Sequence, residues 1–273
     1  MTKNTNNIIY EVEGSLALIT INRPERKNAL DSETLEMLNK AMDLAEEDNE
    51  IKAIIISGKG NTFSSGFDLK DQLEKSPKGK EWKEILDLDF KTIMRFWHSP
   101  KPTIAAIRGA CLAGAFELAL ACDITIASKD AFFGEPELRF GAGIVTMLLP
   151  WVTGIKAAKE IILLGKDNIK AEEALRLGLV TRLTEEKFLL KTAKEIAFNL
   201  AEIDPNLVKE TKKAINQSYE IQGLLKSLQN SLEIDYQIES KGSPDKKRFM
   251  EIARNKGMKE ALVYRNRRFK PDA

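Results

Sequence analysis

Glu117 interrupts an otherwise apolar helical run, Gly114-Ala115-Phe116-Glu117-Leu118-Ala119-Leu120-Ala121. A carboxyl in that setting is expected to be buried, and burial raises its pKa toward the range useful for proton transfer. It sits about one turn into the helix that Gly114 opens, where the helix dipole pulls the other way. Two roles fit this segment taken alone: proton transfer, or a structural carboxylate satisfied by an arginine or by backbone amides. Glu137 follows 20 residues later, behind Phe132-Phe133-Gly134-Glu135-Pro136, with Pro136 stiffening the backbone just ahead of it. One short strand separates the two glutamates, so they can converge at the same end of a sheet. Carboxyls that share a pocket split their pKa values into one acid and one base near neutral pH. Standing alone, Glu137 would be a surface-turn carboxylate.

A third segment is Thr62-Phe63-Ser64-Ser65-Gly66-Phe67-Asp68-Leu69, a small-residue loop after the apolar run Ile54-Ile55-Ile56-Ser57. Such a loop presents backbone N–H groups, and Asp68 can cap the turn that follows; an ordinary strand-to-helix turn has the same composition. Other chemistries fall away. Gly58-Lys59-Gly60 has neither the P-loop nor the dinucleotide-binding spacing. The single histidine, His98, excludes multi-histidine metal sites and leaves Ser64 or Ser65 without a base. His98 itself is expected at a helix C-terminus before Pro100. Cys111 and Cys122 are too few for a disulfide framework or a four-cysteine zinc site.

The elements that must position these residues follow from hydrophobic periodicity. Strands are predicted at Ile8–Glu13 and Leu16–Asn22, then at 53–57, Thr103–Ile107 and Ile124–Ala127. The 53–57 run is apolar throughout, as in a strand covered on both faces. Asp31 or Ser32 caps a helix with Leu35, Leu38, Met42 and Ala45 on one face. Trp82, Leu86, Phe90, Ile93 and Trp97 mark a second amphipathic helix, ended by Pro100 and Pro102. The Gly- and Ala-dense stretch 109–122 requires a close backbone approach. Beyond Gly154 the pattern is mostly helical, with a boundary at Asp204-Pro205 and a break at Gly242-Ser243-Pro244. With 273 residues, this gives an α/β core plus a helical C-terminal region.

Lys and Arg number 42 against 41 Asp and Glu, so global charge gives no reason to expect nucleic acid or a membrane. Residues 241–273 are the exception, with 11 Lys/Arg against four Asp/Glu. A solvated helix face or a phosphate-binding role accounts for that. No signal segment and no apolar run of membrane length is present in the sequence, and the cysteine usage fits a reducing cytoplasm.

In order and spacing these segments resemble the crotonase, or enoyl-CoA hydratase/isomerase, superfamily from Leu16 to about Leu183. The likeness rests on Asn22-Arg23-Pro24 with Asn28-Ala29-Leu30, on Ser64–Leu69, and on 101–106 continuing through Glu117–Asp123. Phe133-Gly134-Glu135-Pro136-Glu137 and 171–180 complete it. The resemblance implies a ββα spiral core with a helical C-terminal trimerisation region, as a homotrimer or dimer of trimers. Residues 1–204 would form the acyl-CoA-binding core and 205–273 the oligomerisation region. It implies an acyl-CoA thioester substrate whose oxygen lies between the backbone N–H groups of Phe67 and Gly114, with Glu117 and Glu137 as the catalytic pair. Arg26, Lys27, Ser65, Gly66, Asp68 and Lys70 would bind CoA, with no metal and no cofactor. Family members that hydrate enoyl-CoA carry both glutamates, whereas many isomerases, decarboxylases and hydrolases keep one or neither, so hydration is the expected reaction. A non-catalytic binder is the expectation from a different class.

Three departures bear on the substrate. Gly141-Ala142-Gly143-Ile144-Val145 replaces the family's Pro-Gly-x-Gly-Gly loop and is about three residues shorter. Phe116 and Phe67 stand where small residues are common. Tyr264 occupies a position where a lysine often meets the CoA phosphates, with Arg265, Arg267 and Arg268 as substitutes.

Overall fold

The structure is a computed structural model and describes residues 2–5 and 7–269. Strands β1 (Thr2–Thr5), β2 (Ile8–Glu13) and β3 (Leu16–Ile21) form an antiparallel meander, the last pair registered Ile8 to Ile21 and Glu13 to Leu16. Helix α1 (Ser32–Glu47) starts where Asp31 accepts from Thr34 N at 2.8 Å, and buries Leu35, Leu38, Met42 and Ala45. Strand β4 (Ala53–Gly58) runs parallel to β3 and is buried along its whole length. Helices α2 (Leu69–Lys75) and α3 (Glu81–His98) lead to β5 (Thr103–Ile107), parallel to β4. Strand β6 (Ala110–Leu112) precedes α4 (Gly114–Ala121), and β7 (Ile124–Ser128) returns to the main sheet beside β5. Strand β8 (Phe132–Gly134) is followed by α5 (Leu149–Thr153), α6 (Ile155–Leu163), β9 (Ile169–Lys170), α7 (Ala171–Arg176) and β10 (Arg182–Thr184). Five helices end the chain: α8 (Leu189–Ala201), α9 (Pro205–Ile221), α10 (Leu224–Lys241), α11 (Pro244–Lys256) and α12 (Met258–Arg267).

The main sheet has the order β1-β2-β3-β4-β5-β7-β10, and β6-β8-β9 form a second, smaller sheet. The apolar run of β4 is explained by this layering. Ile54 and Ile56 face the core shared with α1, α3 and α4, while Ala53 and Ile55 face Leu189, Ala193 and Ala197 of α8. Between β5 and β6 the chain leaves one sheet for the other at Gly109, with φ +56°, where a Cβ would stand 2.1 Å from Asn61 O. After Gly154 the described residues are mostly helical, as expected, interrupted by β9 and β10; these two strands, with β6 and β8 earlier in the chain, are additions to the expected elements. At two or three residues, they are too brief to establish a period of two. Asp204 caps α9 by accepting from Leu207 N at 2.9 Å, and Ser243 caps α11 by accepting from Lys246 N at 3.0 Å. Helix α11 folds back over the 3-10 turn Glu137–Phe140, with the Phe140 and Phe249 rings 5.6 Å apart.

At Gly66 the loop after β4 passes close to the end of β6 and the start of α4. The φ of Gly66 is +88°, and a Cβ there would lie 2.5 Å from Ala113 Cβ and 2.7 Å from Leu112 O. Gly79 also has positive φ, +49°, but a Cβ there meets nothing within 4 Å. Gly66→Ala is therefore expected to cost roughly 2–4 kcal/mol, strain plus overpacking, and Gly79→Ala about 1–2 kcal/mol from strain alone. Urea melts of both variants measure the difference; equal losses would mean that the approach at Gly66 relaxes freely.

Candidate active site

The loop after β4 is sewn to β6 by Ser64 N donating to Ala110 O (3.1 Å) and Leu112 N donating to Ser64 O (3.2 Å). Leu30 N donates to Gly66 O and Asp68 N to Leu30 O, both at 2.9 Å. These bonds turn the intervening peptide outward, and Phe67 N–H has no acceptor among the described residues. Asp68 caps α2 at Lys70 N (3.0 Å) and pairs with Arg23 (3.2 Å) and Arg26 (2.9 Å). Its carboxylate is thus committed to holding the loop.

The facing peptide begins α4. Ala113 has φ 57° and ψ −140°, a strained conformation for a residue with a Cβ, and is held by donating its N–H to Gly134 O at 2.9 Å. That twist leaves Gly114 N–H at the helix start with no acceptor among the described residues. Gly114 N lies 3.3 Å from where a Gly66 Cβ would be, so the two free N–H groups border one small space. Oxygen carrying developing negative charge is the natural occupant of such a space.

Glu117 is 1% exposed, accepts from Thr146 N at 2.6 Å through one oxygen and has no partner for the other among the described residues. Among the described residues no arginine reaches it, so the structural alternative survives there only as one backbone amide. Glu137 opens the 3-10 turn behind Pro136 and is 6% exposed, which overturns the surface-turn alternative. A third carboxyl, Glu135, is 1% exposed and shares a hydrogen bond with Glu137. One carboxyl oxygen from each of Glu117, Glu135 and Glu137 lies within 4.8 Å of the others. Sequence reasoning missed Glu135 as a site group. The signal available was its spacing of two from Glu137, which puts side chains on one face of extended chain.

Crowding sets the protonation of this trio. Burial, then the neighbouring Glu137, pushes Glu117 well above the usual carboxylate range. Glu135 rises likewise, through burial and then the charges of Glu137 and Glu117. Burial raises Glu137 to about 7, opposed by hydrogen bonds from its own backbone and Glu135 and by Arg265. Near neutral pH the cluster therefore holds both protonated and ionised carboxyls and titrates as a unit. A trio this close would also accept a cation, a possibility the histidine count did not address.

Glu137 lines a cavity of about 590 Å³ together with Phe67, Ala113 and Pro136. Arg26, Lys27, Ser65, Asp68 and Lys70 line it too, whereas Gly66 does not, because its role is the backbone approach. Of Tyr264, Arg265, Arg267 and Arg268, Arg265 reaches the cavity, held 3.4 Å from Asp167, whereas Arg268 pairs with Asp245 at 2.8 Å and Tyr264 and Arg267 lie outside; Lys246, Met258 and Leu262 of the same tail also line the cavity. The last four residues of the tail, 270–273, lie outside the described residues. Phe116 is in the core against Phe133, not in the cavity. Phe67 lays its ring over Gly114, where a Cβ would meet it at 2.3 Å. A second groove, about 630 Å³ between α9 and the core, is mostly apolar, and its Asp123 and Lys212 pair with each other at 2.8 Å. His98 lies outside both the cavity and the groove, 3.9 Å from Glu220, and Ser64 Oγ accepts from Gly66 N, so no serine–histidine pair forms.

Free N–H donors, a cluster of buried carboxyls and a cavity lined by Arg26, Lys27, Lys70 and Arg265 define a protein that manages an oxyanion and protons together. The chain belongs to the enoyl-CoA hydratase/isomerase family, whose pattern matches residues 11–256. It is 41% identical over 218 residues to the short-chain-enoyl-CoA hydratase of Clostridium acetobutylicum, covering 78% of this chain and 82% of that protein. It is 36% identical over 217 residues to the crotonyl-CoA hydratase of Syntrophomonas wolfei, covering 77% and 82%. An enoyl-CoA hydratase/isomerase crystal structure from Xanthobacter autotrophicus Py2 superposes with a TM-score of 0.97 at 56% identity, covering 98% of this chain and 100% of that one. The α/β crotonase fold is thereby established.

The raised carboxyls have a consequence for stability. A carboxyl whose pKa in the folded chain exceeds its unfolded value stabilises the fold fully below the unfolded pKa. That contribution is lost as pH rises through the folded pKa. For Glu137 the window runs from about 4.5 to about 7. Urea unfolding is expected to show stability falling across that window, and Glu137→Gln should flatten the fall. An unchanged slope in the variant would place the raised group elsewhere.

Proposed function

We propose that this protein is an enoyl-CoA hydratase that adds water across the 2-trans double bond of an acyl-CoA thioester. The observation that carries the proposal is the convergence of two buried glutamates, Glu117 and Glu137, with carboxyl oxygens within 4.8 Å of each other, where Glu137 and Phe67 line one cavity and the free N–H groups of Phe67 and Gly114 border one small space. In this reading the thioester oxygen lies between those N–H groups. A carboxylate of the pair takes a proton from water as its oxygen bonds to Cβ, and the π electrons move onto the thioester oxygen. The enolate then takes a proton at Cα from the carboxylic acid of the pair. One proton enters the pair and one leaves, so it ends as it began. Hydration transfers no electrons to an acceptor, and the reaction so written needs no cofactor.

Arg26, Lys27, Lys70 and Arg265 line the cavity, where they would meet CoA phosphates, and Ser65 lines it too; Gly66 and Asp68 hold the loop in place. Residues 1–204 would act as the catalytic core. Residues 205–273 would serve oligomerisation as a homotrimer or dimer of trimers, in keeping with exposed Leu207, Ile215, Ile221 and Ile234 on α9 and α10. Arg265 and Arg268 are engaged in intramolecular pairs, which favours a role in this fold over nucleic-acid binding. No described helix is long and apolar enough to cross a membrane, and both cysteines are free and buried, consistent with a cytoplasmic site of action.

Glu117→Gln and Glu137→Gln are each expected to lower kcat by about 10²-fold or more while CoA binding persists. With a short 2-trans-enoyl-CoA in oxygen-18 water, mass spectrometry should find label at the β-hydroxyl while a thiol-reactive dye stays silent. Stoichiometric thiol release, with label in a free carboxylate, would make the protein a thioester hydrolase. Full activity in Glu137→Gln would make it a single-acid isomerase.

A further inference from the structure

The cavity continues past Phe67 and Glu137 to a wall built from α3, α10 and α11. Trp82, Leu86 and Asp89 on α3 share one helical face at spacings of four and three and line this end, together with Val145. Asp235 and Glu239 of α10 and Lys246 of α11 complete it. An alkyl chain needs only apolar walls, yet this end holds three buried carboxyls and one ammonium.

The ammonium does not balance them. Lys246 is bound to Glu239 and sits 4.3 Å over the Trp82 ring centroid, so it is held by that pair of partners. Gly143 N also donates to Glu239, at 3.4 Å. Asp235 is 2% exposed, and its Oδ1 has no hydrogen-bond partner among the described residues. Asp89 is 4% exposed and makes no hydrogen bond or ion pair among the described residues. The charge of Asp235 raises Asp89 further above its burial-driven shift, and burial with Glu239 lifts Asp235 to about 7. Both carboxyls line the cavity into which the acyl chain would extend. A purely aliphatic chain would strip them of water and return nothing, and an unsatisfied buried polar group is costly.

Resting on the acyl-CoA reading above, we infer that the acyl group bound here carries a hydrogen-bond donor, a hydroxyl or an ammonium, beyond the reacting double bond, received by Asp89 and Asp235. Lys246, locked between Glu239 and Trp82, fixes the wall that presents them. Asp89 and Asp235 are specificity-determining residues on this account, distinct from the pair that moves protons.

The test uses the full-length protein and CoA thioethers, which bind without reacting: S-pentyl-CoA, S-(5-hydroxypentyl)-CoA and S-(5-aminopentyl)-CoA, with the four-carbon set beside them and free CoA as reference. Calorimetry should find the hydroxyl or the amino chain bound about tenfold or more tightly than the alkyl chain. That preference should collapse toward unity in Asp235→Leu and Asp89→Leu. Asp235→Asn separates the two donors, keeping a preference for hydroxyl and losing one for ammonium. Circular dichroism checks that each variant is folded, and the wild-type series decides the matter if one is not. Equal or tighter binding of the alkyl thioethers overturns the inference and leaves the acyl-CoA reading standing. Failure of every thioether to bind better than free CoA overturns both.

Discussion

Two backbone N–H groups from segments nearly fifty residues apart border one small space, and much of the surrounding architecture exists to bring them there. The approach is possible because Gly66 has no Cβ where Ala113 and Leu112 already stand. It is maintained because Ala113 keeps a conformation that costs energy, held by its bond to Gly134. The loop side is fixed independently, through Leu30, Ser64 and the Asp68 pairs with Arg23 and Arg26. A donor pair built from main chain cannot rotate away as side chains can, so it is preorganised for an oxyanion.

The same geometry concentrates carboxyls. Helix α4 carries Glu117 one turn from its start, and β8 leads into Glu135 and Glu137, so the elements that frame the N–H groups also bury three acids together. Among the described residues only Thr146 N donates to Glu117, so desolvation first and mutual repulsion second, not ion pairing, raise Glu117 and Glu135. Hydrogen bonds from its own backbone and from Glu135, and then the charge of Arg265, itself tied to Asp167, oppose the burial-driven rise at Glu137. Helices α10 and α11 then close the far end over the Gly141–Gly143 turn, where a Cβ on Gly143 would stand 2.0 Å from Asp235 Oδ1. The short loop is therefore fitted to the helix above it.

Local physics made much of this legible in advance. Residue by residue, Asp31 and Asp68 as helix caps, the stripe of α1, the doubly covered β4 and the start of α9 behind Asp204 all follow from periodicity and capping rules that act within a few residues. Glu117 and Glu137 stood out because a carboxyl in an apolar run, or locked behind proline, is chemically conspicuous. The second sheet was hidden because strands of two or three residues carry no period. Glu135 was hidden because a carboxyl beside a proline and another carboxyl looks like a turn.

The sequence by itself determined the order of the elements, the two glutamates worth watching and the loop that offers main-chain donors. Each of those depends on neighbours along the chain. Only the tertiary structure decided that Asp68 is spent on Arg23 and Arg26, that Arg265 and not Tyr264 reaches the cavity, and that Asp89 lines the same cavity as Asp235, Glu239 and Lys246. Asp89 and Asp235 are each unremarkable on an amphipathic helix. Their meaning arises when α3 and α10, far apart in sequence, pack together and remove water from both, and desolvation is a property of the assembled wall that no local pattern encodes.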